Sequence, residues 1–143
     1  MWTILSAGQK NPTWLEESIL TYQKRIIKPY KLEFILCPTH TANPNKELIK
    51  KIPKNNYIIG LDPKGKSLNT EDFSKSIEKI HFISNNIVFI IGGAIGLDKN
   101  IKSHCQQLWS LSNLTFPHKL AMLILTEQLY RVSSILNNHP YHK

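Results

Sequence analysis

Arginine is almost missing from this chain: only Arg25 and Arg131 accompany 16 lysines, while 10 acidic residues leave a formal charge of +8. An excess of ammonium groups attracts polyanions and releases their counterions on contact, which makes RNA the first suspect as a partner. The same excess also follows from an AT-rich coding bias, as the abundance of Asn and Ile shows, so composition by itself leaves nucleic-acid binding open. Cysteine is scarce too. Cys37 and Cys105 lie far apart and form no CxxC or zinc-type spacing, so they read as reduced thiols of a cytosolic protein. Long hydrophobic runs are lacking: MWTILSAGQKNP has a short apolar stretch with no basic segment before it, too short for a signal sequence or a membrane span. A cytoplasmic protein with no membrane association is expected. No repeats, low-complexity tracts or linkers appear, and 143 residues suit one domain spanning 1–143. A domain near that size buries roughly 68–70% of the surface its unfolded chain exposes, so a core forms without disulfides or metal.

Apolar runs and helical stripes alternate along the chain. TILSA (3–7) reads as a buried first strand ending at Gly8. Asn11 is expected to cap a following helix, with Pro12 in its first turn and Trp14, Leu15, Ile19, Tyr22 and Ile26 as its buried stripe. LEFILC (32–37) reads as a second strand stopped by Pro38, THTANPN as a polar loop, and 46–52 as a short basic helix. YIIGLD (57–62) is expected to be a third strand closed by a PKGK turn. Asn69 or Thr70 then caps a helix through Phe73, Ile77, Ile80 and His81. IVFII (87–91) lacks alternation, which points to burial on both faces of a parallel sheet. Asp98 is expected to cap a helix to about Leu108, with WSLSNLT connecting to Pro117. The longest helical pattern covers 117–137, and its LAMLIL segment is apolar on every side. Either a two-fold dimer interface or a deeply buried internal helix accounts for that. The class is α/β with a largely parallel sheet.

Four stretches could carry chemistry. GGAIGLD follows the most buried strand, where α/β proteins place ligands, yet Gly92, Gly93 and Gly96 do not spell GxGxxG. A phosphate cradle is disfavoured; a flat, phosphate-free ligand such as S-adenosylmethionine and a simple tight turn both remain. WSLSNLTFPH supplies hydroxyl and backbone groups that could form a second pocket wall. Glu127 and Arg131 stand at i, i+4, suited either to a surface ion pair or to a site that needs a permanently charged planar fork. The last five residues, HPYHK, hold His139, Pro140, Tyr141 and His142. The HxxH spacing has no acidic or cysteine ligand near it in sequence, so no metal is expected. A free tail fits poorly with Pro140, which lowers the entropy lost on docking, and with Tyr141, whose ring gains by burial.

In order, SAGQK, TYQKR, YIIGLDPKGK, FIIGGAIGLD, WSLSNLTFPH, EQLYR and HPYHK resemble, over essentially the whole chain, the SPOUT-class large-subunit ribosomal RNA methyltransferase H family. The resemblance implies a SPOUT-type open parallel sheet with helices on both faces and a C-terminal trefoil knot, a topology that general rules of chain connection disfavour. It implies a cytoplasmic homodimer that uses S-adenosylmethionine to methylate N3 of a pseudouridine in 23S ribosomal RNA, on an interface stem-loop of the assembled ribosome. Carried over position by position, cofactor contacts fall on Leu61, Gly92, Leu111, Ser112, Asn113, Leu114, Thr115 and Phe116. Catalytic positions fall on Arg131, His139, Tyr141 and His142, with the tail acting in its own subunit or across the dimer. Arg131 would stabilise charge on the base, His142 or His139 (or a water or phosphate) would take the proton, and Tyr141 would seat the base. Lys64, Lys66 and Lys143 would contact phosphates. Ala94 and Ile95 replace residues that are often Pro-Glu in relatives, and Met122 stands where many carry arginine on an expected RNA or dimer surface. Another ribosomal or transfer RNA base as target, and a non-catalytic ribosome-binding factor, are the rival readings.

Overall fold

Every residue of Ile87–Ile91 is buried, because this strand runs through the middle of the sheet with helices on both sides. The computed structural model describes residues 1–38 and 44–142. Within them the order is β1 (Trp2–Ala7), α1 (Thr13–Arg25), β2 (Leu32–Cys37), α2 (Pro44–Lys51), β3 (Tyr57–Ser67), α3 (Thr70–His81), β4 (Ile87–Ile91), α4 (Lys99–Ser103), β5 (Gln107–Ser110) and α5 (His118–Leu136). The strands form one sheet in the order β2-β1-β4-β3-β5, and every pairing is parallel.

Alternation along the strands divides the core in two. Trp2, Ile4, Ile59, Ile87, Phe89 and Ile91 point to the side covered by α1, α3 and α5. Leu5, Ala7, Ile58, Val88 and Ile90 point to the other side, where Leu48 of α2 and Ile101 of α4 close over them. Two faces covered by helices are what a continuous β-branched run requires. The first core also contains a ring cluster in which Trp109 meets Phe73 edge-on at 5.0 Å between centroids.

Helix starts follow the sequence at two of three places. Asn69 accepts a hydrogen bond from the Asp72 amide (2.8 Å), and Asp98 from the Ile101 amide (2.9 Å). Asn11, however, does not cap α1. Pro12 holds the capping position, its carbonyl accepting from Leu15 and Glu16, while the Asn11 side chain donates to Glu16 Oε1 at 3.0 Å. Trp14 departs from the expected stripe and is 57% exposed, whereas Leu15 and Ile19 are buried. The loop expected over THTANPN falls outside the described residues at 39–43, and Pro44 and Asn45 already belong to α2.

Two further differences shape the cleft described below. The PKGK segment does not end β3; the strand bulges between Leu61 and Lys66 and continues to Ser67. Gly65 permits this, since a Cβ there would lie 2.7 Å from the Leu108 carbonyl carbon and oxygen. The helix begun at Asp98 is shorter than expected, and the chain then forms edge strand β5 beside β3. In α5, Met122, Leu125 and Leu129 are buried against the sheet and its neighbouring helices, while Leu120 stays 38% exposed. Met122 is thus a core residue, its sulfur facing the Asn11 amide at 3.6 Å, and not part of a surface.

Candidate active site

The carboxyl ends of β3, β4 and β5 open into one cleft of about 670 Å³. Its walls come from three turns whose local chemistry is distinct. After β4 the backbone folds back on itself, with the Gly96 amide donating to the Gly93 carbonyl at 3.0 Å. Gly96 takes φ +72°, and a Cβ on Gly92 would lie 2.8 Å from the Gly96 carbonyl carbon. Both glycines are therefore required by the turn, which also brings bare backbone to the cleft. Ile95 at its tip is 72% exposed.

The β3 bulge supplies Leu61 and Asp62. Asp62 Oδ1 accepts from the Lys64 amide and Oδ2 pairs with Lys102 Nζ, both at 2.8 Å. Burial by itself would raise the Asp62 carboxyl, but the bonds from Lys102 and Lys64 outweigh it and hold the group below the ordinary carboxylate value. The third wall is the β5–α5 connection, fixed by Ser110 Oγ donating to the Ser112 carbonyl (2.8 Å) and by the Leu114 amide donating to Ser112 Oγ (3.0 Å). Leu61, Gly92, Leu111, Ser112, Leu114, Thr115 and Phe116 all line the cleft; Asn113 shares the loop but does not line it.

A second pocket of about 410 Å³ shares Ser110 and Leu111 with the cleft and is closed by His142 of the tail. Here Glu127 is the hub. Its Oε1 accepts from Arg131 Nε (2.9 Å), Arg131 Nη2 (2.6 Å) and the Tyr141 hydroxyl (3.0 Å). The Tyr141 ring packs tilted against Tyr130, with centroids 4.2 Å apart and the planes at 36°. Arg131 Nη1 donates to His142 Nδ1 at 3.0 Å, which leaves the ring proton on Nε2, facing Glu71 Oε1 at 3.0 Å. Glu127 holds the Arg131 guanidinium above its ordinary value; burial, then Glu127, raises the Tyr141 phenol; and His142 lowers the Glu71 carboxyl. Arg131, Tyr141 and His142 are thus brought together. His139 is not: it is exposed, its Nδ1 accepting from the Tyr141 amide at 3.2 Å.

Sequence reasoning passed over Asp62 as a cleft residue and Glu127 as the centre of the tail cluster; Ser110 and His118 line the cleft near the two ends of the expected WSLSNLTFPH wall, though neither was assigned a contact of its own. The acid-first spacing to Arg131 was the available signal for Glu127. Burial, first of all, pushes the Cys37 and Cys105 thiols up, so neither is an activated nucleophile. Among the described residues no group of three or more His, Cys, Asp or Glu is gathered for a metal, and no helix is long and apolar enough to cross a membrane.

Comparison with known proteins agrees with this architecture. A family described as "Predicted SPOUT methyltransferase" matches residues 1–142. Proteins named ribosomal RNA large subunit methyltransferase H are similar over nearly the full length. The one from Francisella philomiragia is 38% identical, covering 98% of this chain and 97% of that protein. Its counterpart in Polynucleobacter asymbioticus is 39% identical over 99% and 97%. Among solved structures, a probable methyltransferase from Bordetella pertussis shares the fold with a TM-score of 0.62 at 7% identity, over 92% of this chain and 95% of that one. A probable methylase family protein from Haemophilus influenzae gives 0.60 at 12%, over 99% and 70%.

Proposed function

Because the chain belongs to the SPOUT methyltransferase family, we propose that it is a cytoplasmic, S-adenosylmethionine-dependent enzyme that methylates N3 of a pseudouridine in 23S ribosomal RNA within the ribosome. The observation that carries the reading is the cleft itself. Seven of the eight positions that the resemblance assigns to the methyl donor line it: Leu61, Gly92, Leu111, Ser112, Leu114, Thr115 and Phe116. Its volume falls within the roughly 300–1,000 Å³ of small-molecule sites. Apolar side chains and glycine backbone suit a flat nucleoside without phosphates, and the names of the similar proteins specify the large-subunit RNA target.

When bound, S-adenosylmethionine supplies an electrophilic methyl group on its sulfonium. The chain's task is to hold the RNA base in line with it and to help N3 lose its proton. Loss of that proton spreads charge onto the flanking carbonyl oxygens. Arg131 suits their stabilisation: three of its bonds go to Glu127 and His142, and a guanidinium carries five N–H donors in all. His142 Nδ1 can take the N3 proton once Arg131 turns from it to the base; His139 is the alternative acceptor. Tyr141 seats the base beside this group. Lys64 and Lys66, both exposed on the β3 bulge, contact phosphates; Lys143 lies outside the described residues. The functional unit is a homodimer of single domains spanning 1–143, with the exposed side of α5 at Leu120 as its contact and a trefoil knot formed by the C-terminal segment.

Mass spectrometry of large-subunit RNA from cells with and without the gene tests the reading. Loss of a methyl mass on one 23S pseudouridine, restored by the gene, is expected. Unchanged 23S RNA, or loss of a methyl from transfer RNA, would contradict it.

A further inference from the structure

His118 opens α5 and lines the cleft, yet among the described residues its side chain makes no hydrogen bond, and its Nε2 is buried. The ring is held from behind by Gly8, where a Cβ would lie 3.0 Å from Nε2 and 3.6 Å from Cδ2. Gly8 takes φ +139° as β1 ends, and its amide is anchored on the Cys37 carbonyl at 2.9 Å. The acceptors of the adjoining loop are engaged by the neighbouring Lys119 instead of the imidazole. Lys119 Nζ donates to the carbonyls of Gln9 (2.8 Å) and Lys10 (3.2 Å) and to Asn11 Oδ1 (3.0 Å). A buried N–H without an acceptor is rarer than a buried lone pair without a donor. The tautomer with the lone pair on Nε2 and the proton on Nδ1 is assigned on this ground, since it leaves no buried N–H unpaired.

We propose that His118 is a binding residue of the cleft, donating a hydrogen bond from Nδ1 to an oxygen or nitrogen acceptor of the methyl donor while Gly8 fixes the ring. This rests on the reading of the cleft as the S-adenosylmethionine site. Burial, and secondarily the Lys119 charge, lowers the imidazole below its ordinary value, so the ring is neutral and does not repel a sulfonium. The arrangement also gives a reason for Gly8 beyond the turn, because a Cβ there would crowd the ring and force it to shift by a few tenths of an ångström.

Calorimetric titration of the full chain with S-adenosylmethionine separates the cases. Asparagine places its amide nitrogen near the position of Nδ1, glutamine near that of Nε2. His118→Asn should bind within about threefold of the wild type, while His118→Gln and His118→Phe should bind roughly tenfold or more weakly, the loss of one hydrogen bond to a buried partner. Wild-type affinity in His118→Phe overturns the inference and leaves the cofactor reading intact; no binding by the wild type overturns both. Should a variant fail to fold, ¹⁵N spectra of the wild-type histidines give the answer directly. Saturating S-adenosylmethionine should shift Nδ1 of His118 and leave Nε2 in place, and an unmoved Nδ1 refutes the contact.

Discussion

Arg131 and Tyr141 share one carboxylate oxygen, Glu127 Oε1, and the guanidinium carbon also lies 4.8 Å from the centre of the Tyr141 ring. The final residues therefore dock onto α5 through a charge, a hydroxyl and a ring face together.

Removing the hub should release the tail. Glu127→Ala takes away four hydrogen bonds, three on Oε1 and one from Gln128 Nε2 on Oε2, and leaves a half-buried guanidinium without its anion. The expected cost is about 1–3 kcal/mol, the range for charged hydrogen bonds that are partly open to water. Hydrogen exchange at Tyr141 and His142 should rise more than in the sheet. Equal exchange in variant and wild type would show that the tail is held by other contacts.

The turn after β4 should tolerate no side chain on Gly92. A Cβ there meets backbone, which cannot rotate away, so Gly92→Ala should destabilise by about 1–3 kcal/mol. It should also weaken S-adenosylmethionine binding, because the displaced turn lines the cleft. Chemical denaturation with a parallel titration checks both; an unchanged midpoint would mean that the turn yields easily.

Stability should fall in mild acid through His81. Trp2 Nε1 donates to its Nε2 at 2.9 Å while Nδ1 faces the Ser84 carbonyl at 3.1 Å, so the neutral ring is the one that fits. Burial, first of all, lowers its pKa from the ordinary 6.5. The unfolded chain then binds the proton more readily than the native one. This contribution is full above about 6.5 and is lost as pH falls from there through the lower native value. His118 is lowered by burial in the same way and adds to the slope, whereas Asp62 and Glu71, also lowered, act only in the carboxylate range below. Denaturant midpoints between pH 8 and 5 should decline, and His81→Gln should flatten the decline. An unaltered slope in that variant would remove His81 from the account.

The sheet was readable where a single residue type forces a single answer. Ile87–Ile91 has no polar face to expose, and Asn69 and Asp98 cap helices with their own side chains. The misreadings of PKGK and of β5 share a cause: the deciding partner is far away in sequence. PKGK has the residues of a turn, but β5 pairs with it and Gly65 lets the two backbones close. QLWS is too short and too mixed to announce a strand, and it forms one because β3 offers an edge. Trp14 keeps the spacing of a buried stripe yet faces outward. His118 is legible only as the end of the WSLSNLTFPH wall, because its own role depends on Gly8, 110 positions earlier. The cleft walls were legible as motifs, since glycines after a buried strand and a hydroxyl-rich loop before a long helix are local features. The linkage of the tail through Glu127 to Glu71 was not.

Hydrogen exchange followed by mass spectrometry, with and without saturating S-adenosylmethionine, tests most directly whether the methyl donor occupies the cleft at the ends of β3, β4 and β5. Protection should concentrate in peptides covering 61–63, 91–96 and 110–121, the segments that line it. Protection confined to α2 and α4 on the opposite face, or none at any concentration, would contradict the account.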